Sequence, residues 1–207
     1  MGYSVEKGTL ILLSLLKKHG IRKIIINPGT QNMSFAISAQ QDDFFELYSC
    51  VDERSGAYMA CGMADETGEP VIITCTGATA SRNYLPAITE AFYRKLPILA
   101  ITATKEECFV GNNFSQVIDR SIQISDTYKY SVHIPTIKSD NDAWKCNLKI
   151  NKALLKLKEG GAGPVHINLE TVATSNFSTN LLPDERMIKM ITYPDPFPKL
   201  YGRKIVV

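Results

Sequence analysis

Three stretches of this chain stay apolar, or nearly so, for the length of a strand and no longer. Residues 21–27 contain three consecutive isoleucines, residues 71–75 read Val-Ile-Ile-Thr-Cys, and residues 97–102 read Pro-Ile-Leu-Ala-Ile-Thr. A strand with one wet face alternates polar and apolar residues, whereas these runs suit strands covered on both faces, the situation of a parallel sheet between two layers of helices. The intervening segments have helical character. Residues 4–19 space Leu10, Leu13 and Leu16 on one side, begin near Ser4 as a possible cap and stop at Gly20. Residues 33–41 read as a short helix. Gly56, Ala57, Ala60, Cys61 and Ala64 give a helix of small residues running to Gly68, residues 76–80 open another that reaches Arg94, and residues 141–158 form a last one. Further strands are expected at 44–51, 131–134 and 163–169. The fold class is therefore α/β: a three-layer, mostly parallel six-stranded sheet with helices on both faces and ligands outside the carboxyl ends of its strands.

Domain organisation follows from where this alternation fails. Residues 1–174 make one domain, residues 175–200 read as a linker punctuated by Pro194, Pro196 and Pro198, and residues 201–207 read as the start of a following domain. Because the sequence stops inside a strand-like run, the natural chain is expected to continue. Residues 104–127, rich in Asn, Ser, Asp and Gly, are a connection long enough to be a functional loop.

Charge and cysteine usage exclude several classes of function. The 23 basic and 21 acidic side chains are scattered, with no polybasic block, so neither nucleic acid nor a membrane surface is an implied partner. Five cysteines without a Cys-x-x-Cys pair suggest free thiols rather than zinc or a disulfide framework. The apolar run 10–16 is too short to span a bilayer, and the first residues lack the basic start of a signal peptide, so a cytoplasmic location is expected. Gly160-Gly161-Ala162-Gly163 lies between a helix and a strand, the reverse of the order needed to aim a helix N-terminus at phosphate. No phosphate loop, nucleophile elbow or His-Glu-x-x-His motif occurs, and His19, His133 and His166 are far apart. No metal ligand is assigned.

The candidate functional residues cluster at strand ends. Pro28-Gly29 ends the first strand, Glu53 stands where the second gives way to a helix, and Thr76-Gly77 follows the third. A carboxylate at a helix start is common for an ordinary reason, since it complements the macrodipole.

Taken in order, Asn27-Pro28-Gly29, Val51-Asp52-Glu53-Arg54-Ser55, Thr74-Cys75-Thr76-Gly77-Ala78-Thr79-Ala80 with Asn83-Tyr84, and Phe114-Ser115-Gln116 resemble the N-terminal pyrimidine-binding domain of thiamine diphosphate-dependent enzymes. The resemblance covers roughly residues 5–172. Within that superfamily it is closest to the menaquinone-pathway synthase that joins a 2-oxoglutarate-derived acyl anion to isochorismate, and looser to acetolactate synthase-like enzymes. It implies thiamine diphosphate as cofactor and Glu53 as the catalytic acid that hydrogen-bonds ring nitrogen N1′ of the aminopyrimidine, favouring the tautomer that deprotonates the thiazolium carbon. It further implies that Pro28, Gly29, Thr76, Gly77, Asn83 and Gln116 lie along the cofactor pocket. Pro-Gly as a plain turn, Thr-Gly as a helix entry, Asn83 as a surface helix residue and Gln116 as a loop residue stay open beside these roles.

Two departures qualify what carries over. The menaquinone-pathway enzymes have a Ser-Arg pair after Pro-Gly, whereas Thr30-Gln31 stands here, so the bidentate carboxylate clamp of an arginine is missing and isochorismate does not follow. The superfamily also holds the cofactor's diphosphate through Mg2+ bound by a Gly-Asp-Gly segment, which this chain lacks. The expectation is thus a half-site: the N-terminal domain of a lyase or transferase acting on a 2-oxo acid, with the diphosphate-binding domain elsewhere on the full-length chain or on a partner subunit. The superfamily implies a homodimer or homotetramer, and the isolated chain is expected to be inactive. The alternatives are a separate small subunit of a two-subunit 2-oxo-acid decarboxylase, or a non-catalytic degenerate member.

Overall fold

A computed structural model describes residues 2–189. Its helices are α1 (Lys7–Lys18), α2 (Met33–Gln40), α3 (Glu53–Thr67), α4 (Thr79–Asn83), α5 (Leu85–Arg94) and α6 (Asp140–Lys156). Its strands are β1 (Lys23–Ile26), β2 (Glu46–Ser49), β3 (Val71–Cys75), β4 (Ile98–Thr104), β5 (Tyr130–Ile134) and β6 (Val165–Glu170). They form one six-stranded sheet in the order β2-β1-β3-β4-β6-β5, parallel at every pairing. The α/β, three-layer expectation is borne out.

The isoleucine triplet shows how the sequence builds the layers. Ile24 and Ile26 point to one face, where Leu12, Leu13 and Leu16 of α1 and Ile150 and Leu154 of α6 cover them. Ile25 points to the other, among Ala57, Ala60 and Ala64 of α3 and Ala87, Ile88 and Ala91 of α5. Neighbouring strands repeat this division, Ile72 falling on the first face and Val71 and Ile73 on the second. Burial on both faces is why these strands carry no alternation.

Several boundaries differ from expectation. Ser4 does not cap α1: the N-cap is Glu6, without a side-chain bond, while the Ser4 hydroxyl accepts from the Glu6 amide. Gly20 takes the left-handed conformation expected of it, with φ of 72°. The edge strand β2 is only Glu46–Ser49; Phe44 and Phe45 precede it in a turn, and Val51 is 87% exposed. The helix expected to reach Arg94 breaks at Tyr84, because Pro86, the second residue of α5, donates no hydrogen bond to the turn before it.

The small residues of α3 are used inside the domain. Gly56, Ala60 and Ala64 are buried against Asn27, the sheet and α5, so the close approach that their small side chains permit is made within this domain. Tyr58 and Met59 are the large side chains that α3 exposes.

Beyond Thr174 the described chain has neither helix nor long strand, yet it is tied down. Tyr3 and Thr179 form an antiparallel bridge, Ser14 Oγ donates to the Pro183 carbonyl at 2.6 Å, Lys18 pairs with Asp184, and the Asn151 amide donates to the Arg186 carbonyl at 3.0 Å. The proline-punctuated segment and the strand read at 201–207 lie outside the described residues.

Candidate functional site

The strand order reverses beside β1: the chain leaves β1 for β2 on one side and returns to β3 on the other. Parallel α/β sheets form a crevice at the carboxyl ends of strands flanking such a switch. The loops that open there are 27–32 after β1, 50–52 after β2 and 76–78 after β3; they carry Pro28, Gly29, Thr76 and Gly77 and lead directly into Glu53, while Asn83 ends the helix that follows the third loop.

Glu53 is the first residue of α3. Asp52 caps this helix, its Oδ1 accepting from the Ser55 amide at 2.7 Å, and that bond holds the Asp52 carboxyl below its ordinary range. With the cap supplied by Asp52, the half-buried Glu53 carboxylate is not needed for that role. Its Oε2 accepts from Asn83 Nδ2 at 3.1 Å; a carboxylate only accepts, which fixes the orientation of the Asn83 amide. Asn83 is the last residue of α4, and the next residue, Tyr84, begins the junction with α5.

Tyr84 ties this junction to the other loops. Fully buried, it donates its hydroxyl to Asn27 Oδ1 at 2.6 Å, and burial holds its pKa well above the ordinary tyrosine value, so it remains a donor. The Asn27 amide in turn donates to the carbonyls of Cys50 at 2.7 Å and Asp52 at 3.2 Å. A closed circuit results: Glu53 to Asn83, along the chain to Tyr84, to Asn27, to Asp52 and back to Glu53. It fixes the backbone on both sides of the acid to the ends of β1 and β3, since the backbone N–H of Asn27 donates to the Thr74 carbonyl at 2.9 Å. Buried polar circuits that satisfy their members resist rearrangement.

The glycines mark close backbone approach. A side chain on Gly29 would run into Cβ of Thr76, whose Oγ1 accepts from the Gln31 amide at 3.3 Å; Pro28-Gly29 and Thr76 are therefore packed together. A Cβ on Gly77 would lie 2.7 Å from the Gln116 carbonyl oxygen. Gln116 reaches this loop through its backbone, with φ of 60° and an exposed side chain. Between Gly77 and α4, Ala78 sits at φ 54°, ψ −126°, a conformation costing a non-glycine residue on the order of 1–3 kcal/mol and typical of ligand-contact loops.

Pro28, Gly29, Thr76 and Gly77 thus form one group, Glu53 and Asn83 a second, and Gln116 joins the first by its main chain. Sequence reading assigned no role to Asn27, Tyr84 or Ala78; the only signal was that Asn27 and Tyr84 fall inside the motifs that carry the resemblance. Thr30-Gln31, where the arginine clamp is missing, is pinned elsewhere: the Thr171 hydroxyl lies 2.7 Å from the Gln31 carbonyl and 3.1 Å from its Oε1.

A second polar array runs across β4, β6 and β5. His133 Nε2 lies 3.0 Å from Glu170 Oε1, Asn168 Nδ2 lies 3.0 Å from His133 Nδ1, and Asn168 Oδ1 accepts from Arg120 Nη1 at 3.0 Å and from Thr102 Oγ1 at 3.1 Å. His166, stacked on Tyr128 at 5.1 Å, contacts Thr102 Oγ1 and Ser131 Oγ at 2.8 Å each. Burial, helped by the charges of Arg120 and Arg82, pushes its pKa down to about 3, so it is neutral. Among the described residues, no three His, Cys, Asp or Glu side chains are grouped to hold a metal ion.

An open parallel sheet with an acid at the start of a helix and two glycine-bearing loops at its switch point defines a cofactor-binding α/β domain. The chain belongs to the family of N-terminal TPP-binding domains of thiamine pyrophosphate enzymes, whose model matches residues 6–123, more than half its length. It is similar to proteins named 2-succinyl-5-enolpyruvyl-6-hydroxy-3-cyclohexene-1-carboxylate synthase. That of Phocaeicola vulgatus is 35% identical over 187 residues, covering 90% of this chain and 34% of the relative. That of Bacteroides thetaiotaomicron is 35% identical with the same coverage, and that of Flavobacterium johnsoniae is 32% identical over 157 residues, 76% of this chain and 27% of the relative. The chain spans about a third of the length of the curated relatives it matches.

Proposed function

We propose that this chain supplies the pyrimidine-binding half of a thiamine diphosphate site in an enzyme that decarboxylates a 2-oxo acid or transfers the acyl anion derived from it. The observation that carries the reading is the placement of Glu53: it heads a helix at the switch point, is not needed as the cap, and is held by Asn83. Bound thiamine diphosphate would supply the carbanion-stabilising chemistry, which belongs to the cofactor.

The protein's share is orientation and proton handling. Glu53 holds a proton against N1′ of the aminopyrimidine, and Asn83 keeps the carboxylate aimed. Pro28-Gly29 and Thr76-Gly77 bring backbone close enough to line the ring, and Gln116 closes the wall. The diphosphate and its Mg2+ belong to a domain outside the described residues, in cis or on a partner subunit. The length of the relatives supports further domains in cis. Assembly as a cytoplasmic homodimer or homotetramer accords with a site completed across domains.

Turnover of 2-oxo acids by the complete enzyme tests the reading. Glu53→Gln should lower kcat at least 100-fold, about 2.7 kcal/mol of barrier, while cofactor binding persists. Undiminished turnover in that variant would end it.

A further inference from the structure

Asn27 is buried, and every hydrogen-bonding group it has is engaged. Its backbone N–H donates to the Thr74 carbonyl at 2.9 Å, and its own carbonyl accepts from Asn32 Nδ2 at 3.0 Å. Its side chain donates to the carbonyls of Cys50 and Asp52 and accepts from the Tyr84 hydroxyl, partners 23, 25 and 57 positions away. A turn asparagine satisfies its immediate neighbours instead. The partners come from different walls of the switch-point crevice: Thr74 from β3, Asn32 from the start of α2, residues 50 and 52 from the loop between β2 and α3, and Tyr84 from the junction of α4 with α5. Turning the amide over would set Oδ1 against two carbonyl oxygens, so donation by Tyr84 locks the one workable orientation.

The consequence falls on Glu53. The Asp52 carbonyl, which shares a planar peptide unit with the Glu53 nitrogen, accepts from Asn27 Nδ2 at 3.2 Å and from the Gly56 amide at 2.9 Å. One bond comes from the loop after β1 and the other from the first turn of α3, so together they fix the point from which the Glu53 side chain departs. The far end of that side chain is held by Asn83 at 3.1 Å. Because Asn83 and Tyr84 are consecutive, one junction of the chain holds both ends of the acid, the carboxylate directly and the peptide through Asn27. We infer that Asn27, oriented by Tyr84, is a positioning residue for Glu53, acting on its proton handling without a hydrogen bond to the carboxylate. The inference rests on the cofactor reading above and extends it to a buried residue whose hydrogen bonds all go to protein. A misplaced acid costs rate rather than affinity, since a displacement of about 1 Å at a reacting group can slow chemistry about a hundredfold.

Two measurements test it together. In the ligand-free 207-residue chain, NMR of the Asn83 side-chain amide reports the bond to Glu53, and Glu53→Ala gives the position of the unbonded amide. Asn27→Ala should move the resonance toward that position. Ile150→Val, which loses a buried methylene on the opposite face of the sheet from α3, should leave it in place. In the complete enzyme, Asn27→Ala and Tyr84→Phe should each lower kcat about tenfold, with half-saturation by the cofactor within about threefold of the parent. The double variant should lose no more than the larger single loss, and Ile150→Val should keep the parent kcat. If Asn27→Ala does not fold, Tyr84→Phe, which removes one hydroxyl, decides. An unmoved Asn83 resonance, parent kcat in the variants, weakened half-saturation at unchanged kcat, or an equal loss of kcat in Ile150→Val overturns the proposal. Normal turnover in Glu53→Gln would instead end the cofactor reading, on which the Asn83 resonance does not depend.

Discussion

A Cβ added to Gly56 would lie 2.8 Å from Nδ2 of Asn27. The empty position in α3 is thus filled by the amide that holds the Cys50 and Asp52 carbonyls, and the glycine is part of the machinery that places Glu53.

That relationship separates two glycines of one helix. Gly62 is exposed, with nothing within 4 Å of a Cβ, so Gly62→Ala should stabilise the fold by about 0.5–1 kcal/mol through helix propensity alone. Gly56→Ala gains the same propensity but displaces a hydrogen-bonded amide in a packed site, and should destabilise by about 1–3 kcal/mol. Urea denaturation of the two variants gives the comparison; equal gains would mean that Asn27 moves aside freely.

Tyr84→Phe removes the donor at 2.6 Å from Asn27 Oδ1 and leaves a buried acceptor, with an expected loss of about 1–3 kcal/mol. A double-mutant cycle with Asn27→Ala should show coupling of at least about 0.5 kcal/mol. Additive losses would break the circuit that joins Asn83-Tyr84 to the loop before Glu53.

Low pH should unfold the domain partly through His166. Its folded pKa is depressed to about 3, against about 6.5 in an unfolded chain. The unfolded state therefore binds the extra proton between these values, so stability is complete above pH 6.5 and is lost as pH falls toward 3. The full effect is on the order of 5 kcal/mol. Chemical denaturation at several pH values between 4 and 7 should show a shallower slope for His166→Gln than for the parent. An unchanged slope would assign acid unfolding to other groups.

What the sequence made legible was whatever depends on local pattern. Unbroken apolar runs located the strands buried on both faces, and Ile24-Ile25-Ile26 needed no alternation because helices cover both sides. Glu53 was visible as an acid at a strand-to-helix change. What stayed hidden depends on contacts between distant positions. Nothing local distinguishes Asn27 from a turn asparagine, and its partners are the Tyr84 hydroxyl and the carbonyls of residues 50 and 52. Arg120 lies in the irregular 104–127 stretch, where no periodicity reveals that a charged side chain is inside. The small residues of α3 signalled close packing correctly, but only the fold shows that the neighbour is the chain's own sheet and α5.

Hydrogen–deuterium exchange at C2 of thiamine diphosphate bound to the complete enzyme tests the central claim most directly. If Glu53 holds the proton on N1′ and Asn83 only aims the carboxylate, Glu53→Gln should slow exchange at least 100-fold, about 2.7 kcal/mol, with the fold intact by circular dichroism. Asn83→Ala should slow it about tenfold, close to 1.4 kcal/mol. Exchange in Glu53→Gln at the rate of the parent enzyme would contradict the account.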